Sequence, residues 1–154
     1  YEVYEARFNI PLLARRLERA TKWLINSKNY HQEPIAYFGA STGAAAALMT
    51  AAQVGSVFPI YTIISRGGRP DLAGRDILNS VSIPTLLIVG GKDTEVISLN
   101  EMAHHELADA KLVLIPGATH LFEEAGALRE VLKISADWFS VQLQDQRFNK
   151  QTNV

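Results

Sequence analysis

The chain has 154 residues, of which 47% are hydrophobic, and its formal net charge is −1 with acidic and basic residues interspersed. This is enough chain for one domain with a substantial core, and it offers neither a nucleic-acid footprint nor a membrane-surface patch. The sequence contains no cysteine, which excludes disulfides, thiolate catalysis and cysteine-ligated metals, and no membrane-length apolar run or signal peptide, so a cytoplasmic location is expected.

The N-terminal third predicts a helix, a strand and a second helix. Asn9 can cap the first helix, and Pro11 fits its first turn, where a missing N–H costs little. The apolar stripe of this helix follows helical spacing at Leu13, Leu17, Ala20 and Leu24. A polar loop then leads to an apolar strand at about 35–38, and an alanine-rich helix at about 42–54 follows a tight turn.

The remaining two thirds alternate strands and helices. Further strands are predicted at about 58–64, 83–89 and 112–115, and helices at about 75–80, 98–109 and 125–142. Trp23, Trp138 and Phe139 are expected in the core, and 144–154 is expected to fray as a polar tail. Apolar strands separated by helices indicate a parallel sheet covered on both faces. The sequence therefore predicts a single α/β domain over residues 1–154, a doubly wound parallel sheet of about four strands with helices on both faces.

The turn after the first strand carries a G-x-S-x-G motif, Gly39-Ala40-Ser41-Thr42-Gly43. In a strand–turn–helix context this motif presents its serine as a nucleophile on a strained turn. Side chains two residues either side of Ser41 are expected to collide, which explains the two glycines. Two other interpretations remain open, a plain strand-to-helix turn and a glycine loop that binds phosphate at the helix N-terminus.

Two later loops carry the residues that a serine nucleophile needs. The carboxyl ends of parallel strands meet at one edge of a sheet, so Ser41, Asp93 and His120 are expected to lie close together there. His120 can take the serine proton and return it to the leaving group, and Asp93 would orient the imidazole. The chain order Ser…Asp…His is the order of an α/β-hydrolase triad. Asp71, which follows the second strand, is the alternative acid.

Three segments give the chain a family resemblance, and they are Tyr37-Phe-Gly-Ala-Ser-Thr-Gly43, Pro84-Thr-Leu-Leu-Ile-Val-Gly-Gly-Lys-Asp93 and Ile115-Pro-Gly-Ala-Thr-His-Leu-Phe122. Over about residues 9–140 the chain resembles the dienelactone-hydrolase-like branch of the α/β-hydrolases. The resemblance implies hydrolysis of a small ester or lactone through Ser41, Asp93 and His120. The family's namesakes use cysteine as nucleophile, so Ser41 places this chain with the serine members. Similar domains are joined to a phosphoribosyltransferase domain in some proteins, which suggests such a fusion here.

The resemblance covers only the C-terminal part of the family's fold, whose N-terminal strands are therefore expected to be absent. The backbone N–H of Thr42 can supply one oxyanion donor, whereas the second normally comes from a loop after an earlier strand. Losing one such donor can cost roughly 10²–10³ in rate. The 35–38 strand would also have an open apolar edge, which predicts pairing with a missing N-terminal segment or with a second copy of the chain.

Charged side chains near the same edge suggest a substrate contact but no metal. Arg66 and Arg69 flank two glycines and could clamp a carboxylate or phosphate, or they could simply form salt bridges. The adjacent His104 and His105 point to different sides of a helix and cannot share a metal. The sequence thus predicts a serine hydrolase that needs no metal or cofactor. The alternative is a catalytically weak or inactive hydrolase fragment that serves as a binding or assembly module.

Overall fold

The fold is seen in a computed structural model that describes residues 5–152, with side chains described as far as residue 145. The helices are α1 (Ile10–Ile25), α2 (Thr42–Val54), α3 (Arg75–Ser80), α4 (Thr94–Glu106) and α5 (Ala127–Thr152), with a 3-10 turn at Pro70–Ala73. The strands are β1 (Ile35–Ala40), β2 (Ile60–Arg66), β3 (Thr85–Gly90) and β4 (Ala110–Ile115).

The four strands form one parallel sheet in the order β1-β2-β3-β4. The predicted α/β architecture with about four parallel strands is therefore confirmed. Apolar residues on one face of the sheet, such as Ile63 and Leu87, pack against α1, α2, α3 and α4. Residues on the other face, such as Ile64 and Ile88, pack against Phe122 and against α5. Both faces are covered, which accounts for strands that are apolar along their whole length.

Small side chains let α2 lie close to the sheet. Ala44 to Ala47 and Ala51 are all buried in this helix. A Cβ on Gly39 in β1 would lie only 2.6 Å from the carbonyl oxygen of Gly43. Alanine and glycine therefore set the distance between strand and helix directly behind the Ser41 turn.

Helix α1 begins as its sequence predicts but buries a different stripe. Asn9 caps it, with Oδ1 accepting a hydrogen bond of 3.0 Å from the Leu12 N–H. Its fully buried side chains are Ile10, Ala14 and Thr21, with Leu13 and Leu17 partly buried. Trp23 is 74% exposed, so its expected place in the core is wrong. Thr21, two residues earlier, faces the core, where its hydroxyl forms a hydrogen bond of 2.8 Å with Tyr37 Oη.

Several element boundaries differ from the predictions. Strand β2 continues to Arg66, two residues beyond its predicted end, because Arg66 still pairs with Ala40 and Ile88. Helix α4 begins at Thr94 instead of about 98, directly after Asp93. Helix α5 continues to Thr152, since neither glycine nor proline interrupts the sequence after Ala127. Most of the expected tail is therefore helical, and 153–154 lie outside the described residues.

Within residues 5–152, strand β1 pairs only with β2 and so forms one edge of the sheet. Beside it runs an apolar groove of about 390 Å³, lined by Leu13 and Leu17 from α1, by β1 and by the first turns of α2. Phe38 is half exposed at this edge. No helix in the same residues is both long enough and apolar enough to cross a membrane.

Candidate active site

Ser41 sits at the sharp turn between β1 and α2 with a backbone conformation that is rare for a side-chain-bearing residue. Its φ is 51° and its ψ is −125°. Such strain persists only where surrounding contacts hold it. The Ser41 carbonyl accepts hydrogen bonds from the N–H of Arg69 at 3.0 Å and from that of Ala44 at 3.2 Å. The carbonyl of the serine is thus held from two sides on a strained strand-to-helix turn.

The two glycines of the motif have different surroundings. A side chain on Gly39 would collide with the backbone of Gly43 and Ala44, as the sequence predicts. A Cβ on Gly43, in contrast, would meet nothing within 4 Å among the described atoms. The expectation of a collision at Gly43 is therefore wrong for this part of the chain, because that residue faces the open groove beside β1.

His120 and Asp93 meet across two loops. His120 Nδ1 lies 2.7 Å from Asp93 Oδ2, although 27 residues separate them. The loops are joined by the Lys92 N–H, which donates to the Ala118 carbonyl at 2.9 Å. Gly90 allows this approach, since a Cβ there would lie 2.5 Å from the Thr119 carbonyl oxygen. The acid and the histidine of the predicted triad are therefore in hydrogen-bond contact.

Glu124 supports the histidine loop, a role that no sequence pattern indicated. Its Oε1 accepts a hydrogen bond of 3.0 Å from the N–H of Thr119, the residue before His120. The pKa of Glu124 lies below its ordinary value, mainly because of a side-chain hydrogen bond with Thr119, and the backbone hydrogen bonds of Glu124 and Thr119 lower it further. The only sequence signal is a carboxylate that closely follows the histidine.

The two arginines differ in their partners. Arg69 forms a bidentate pair with Asp71 at 2.9 and 2.8 Å, and these hydrogen bonds raise the pKa of Arg69. Asp71, the alternative acid, is thus engaged away from His120. The Arg66 guanidinium lies 5.4 Å from the centre of the Phe122 ring, and none of the ion pairs in the described chain includes it.

Other parts of the predicted site are present but less complete. As the first residue of α2, Thr42 has a backbone N–H without an intrahelical acceptor, as an oxyanion donor requires. The Ser41 hydroxyl makes no hydrogen bond to any described residue, so Ser41 and His120 are not joined in this conformation. In the described residues no cluster of three or more His, Asp or Glu is arranged to hold a metal ion.

Comparison with solved structures identifies the fold. The chain aligns with a dienelactone hydrolase from Anabaena variabilis at 48% identity and a TM-score of 0.82, covering 86% of this chain and 61% of that one. The esterase Est1E from Butyrivibrio proteoclasticus aligns at 13% identity with a TM-score of 0.76, covering 88% and 71% of the two chains. The chain therefore has the α/β-hydrolase fold. Within that fold it is similar to dienelactone hydrolase in sequence as well as in structure, which confirms the resemblance drawn from its three loop segments.

Curated relatives occur in two strains of Mycobacterium tuberculosis under the name "Putative phosphoribosyl transferase". Each is 51% identical over 133 residues, which cover 86% of this chain. The chain spans only 29% of the length of these relatives. No protein-family model matches the chain.

Proposed function

We propose that this domain is a serine hydrolase that acts on a small ester or lactone. The observation that carries the proposal is the 2.7 Å contact between His120 and Asp93, at the same edge of the sheet as the strained turn of Ser41. The similarity to dienelactone hydrolase supports the ester or lactone class of substrate. A strained serine, a histidine and a carboxylate together match the acyl-transfer triad.

In the proposed mechanism Asp93 accepts the Nδ1–H of His120, which leaves Nε2 free as a base. His120 Nε2 takes the hydroxyl proton as Ser41 Oγ attacks the substrate carbonyl carbon, and the Thr42 N–H stabilises the oxyanion. The alcohol leaves with the proton from His120. Water then attacks the acyl-serine ester with the same base, which releases the carboxylic acid and restores Ser41.

Arg66 is the residue we propose for binding an anionic part of the substrate. Strand pairing places it beside Ala40, the residue before Ser41. Its guanidinium has no carboxylate partner in the described chain and rests on the ring of Phe122. Arg69, which shares its loop, is already paired with Asp71 and is assigned a structural role.

An inactive binding module is the second candidate function. The observation that favours it is the Ser41 hydroxyl, which makes no hydrogen bond to His120 in this conformation. The low coverage of the curated relatives is compatible with a fusion to a phosphoribosyltransferase domain, in which the hydrolase fold would serve assembly. Catalytic hydrogen bonds often form only when substrate binds, so the hydrolase stays the first candidate.

A fluorophosphonate probe separates the two functions. The wild-type chain is expected to be labelled and to hydrolyse p-nitrophenyl acetate, and Ser41→Ala is expected to abolish both. Ser56→Ala, at an exposed serine after α2, is the matched control and should be labelled like wild type. Labelling that survives in Ser41→Ala would place the reactive group elsewhere. Wild-type protein that is neither labelled nor active would favour the binding module.

A further inference from the structure

The segment from Gly67 to Arg69 touches both ends of the proposed reaction site. The Arg69 N–H donates to the Ser41 carbonyl at 3.0 Å. Gly67 lies against the histidine loop, since a Cβ on Gly67 would be 3.2 Å from the His120 carbonyl oxygen and 3.7 Å from Cε1 of its ring. A displacement of this segment would therefore move the serine turn and the imidazole relative to each other.

One buried side chain holds this segment from the other side. Asn100 of α4 is fully buried, and its Nδ2 donates to the Gly68 carbonyl at 3.0 Å and to the Val96 carbonyl at 2.8 Å. The two carbonyl partners fix the orientation of the amide. Gly68 itself leaves no space for adjustment, because a Cβ there would overlap Ser65 Oγ.

The helix that carries Asn100 also begins directly after Asp93, which is its N-cap residue. One rigid element thus positions the acid at its start and the Gly67–Arg69 segment at its second turn. The asparagine has a cost in stability, because its Oδ1 is buried without a hydrogen-bond partner in the described chain. An apolar side chain would avoid that cost but would remove the donor to the Gly68 carbonyl, so what the asparagine provides is the hold on this segment.

We propose that Asn100 is a positioning residue for the active site. It holds the Gly68 carbonyl so that Gly67 packs on His120 and Arg69 anchors Ser41, while its own helix sets Asp93. The effect of Asn100 on turnover rests on the proposed hydrolase function, but its effect on the position of the His120 imidazole does not.

Thr50 provides a matched control. It is fully buried, and its hydroxyl bonds to the Ala46 carbonyl of its own helix at 2.8 Å and to the Ala14 carbonyl of another segment at 3.1 Å. Asn100 has the same pattern, because its side chain bonds to the carbonyl four residues earlier in its own helix and to a carbonyl of another segment. Thr50→Val and Asn100→Leu therefore each remove a buried cross-link, but only the second lies at the reaction site. Asn100→Asp keeps the shape and removes the donor.

The test measures the Cε1–H resonance of His120 by NMR and the kinetics of p-nitrophenyl acetate hydrolysis in the folded variants. We expect Asn100→Leu and Asn100→Asp to shift the resonance and to lower kcat about tenfold with little change in KM, whereas Thr50→Val lowers only the melting temperature. A resonance that is the same in Asn100→Leu and Thr50→Val would overturn the positioning role. A shifted resonance in a protein whose wild type shows no Ser41-dependent turnover would support the positioning role and reject the hydrolase function.

Discussion

Individual residues at the site are distinguished by their partners more than by their type. Arg66 and Arg69 look equivalent in the sequence, yet Arg69 is neutralised by Asp71 and Arg66 is not. Asp93 and Asp71 both follow strands, yet only Asp93 contacts His120. Glu124 carries no motif at all, yet it holds the residue before His120.

Replacing Arg66 should change the preference for substrate charge. We expect Arg66→Gln to lower kcat/KM for a carboxylate-bearing phenyl ester relative to a neutral phenyl ester by about tenfold, the effect of losing one charge-assisted hydrogen bond. Arg75→Gln is the control, since Arg75 is an exposed arginine whose partner at 3.0 Å is Glu106. Steady-state kinetics on the ester pair would measure the ratio. An equal change in both variants would indicate a general effect of net charge.

Acid should loosen the histidine loop through Glu124. Because the folded-state pKa of Glu124 is lowered, the stabilisation from its carboxylate is present above the unfolded pKa and is lost as the pH falls through the folded pKa. The Thr119 amide resonance should therefore titrate with a midpoint below the ordinary value of 4.5. In Glu124→Gln this transition should be missing. A Thr119 midpoint at or above the ordinary value would contradict the assignment.

Helices and strands were largely predictable from the sequence, because apolar strands and helical periodicity are local signals. Those signals, together with the geometry of parallel strands, predict the order of the segments and the parallel sheet. They also predict the contact between Asp93 and His120. The assignment of Ser41 as nucleophile stays a prediction. Asn100 and Glu124 were not predictable, since each binds a backbone group of a distant loop and leaves no pattern of spacing.

The two glycines of the Ser41 turn should differ in their tolerance of alanine. Gly39→Ala would place a Cβ 2.6 Å from the Gly43 carbonyl oxygen, so overpacking should destabilise the fold by about 1–3 kcal/mol. Gly43→Ala meets no described atom and lies in α2, where alanine favours helix by up to about 1 kcal/mol. Urea unfolding of both variants would measure the difference. Equal destabilisation would mean that another segment packs against Gly43.

At the scale of the whole molecule, the edge at β1 is open to association. A half-exposed Phe38 and an apolar groove accompany backbone groups that have no strand partner on that side in residues 5–152. Such an edge is a template for another strand. The occupant we expect in a solution of this chain alone is a second copy, whereas an N-terminal segment of a longer protein would compete for the same position.

Light scattering after size exclusion should therefore give a mass above that of the 17.0 kDa chain, rising with concentration. Phe38→Lys should shift the chain to monomer, because an edge lysine opposes strand addition. Leu114→Lys, at a comparably exposed apolar residue of β4, is the control and should leave the association unchanged. A stable wild-type monomer at all concentrations would count against pairing along β1.

The sequential order of the strands also has a consequence for biosynthesis. Because neighbours in the sheet follow one another in the chain, each of the strands β2, β3 and β4 finds its partner already made when it leaves the ribosome. The serine turn emerges first, the aspartate next and the histidine last, and α5 then covers the second face of the sheet. A nascent chain would thus lack part of the proposed triad until His120 emerges, and it would carry an uncovered apolar face until α5 is translated. Chaperone binding should be strongest on ribosomes stalled before α5, and the proposed esterase activity should be absent on ribosomes stalled before His120.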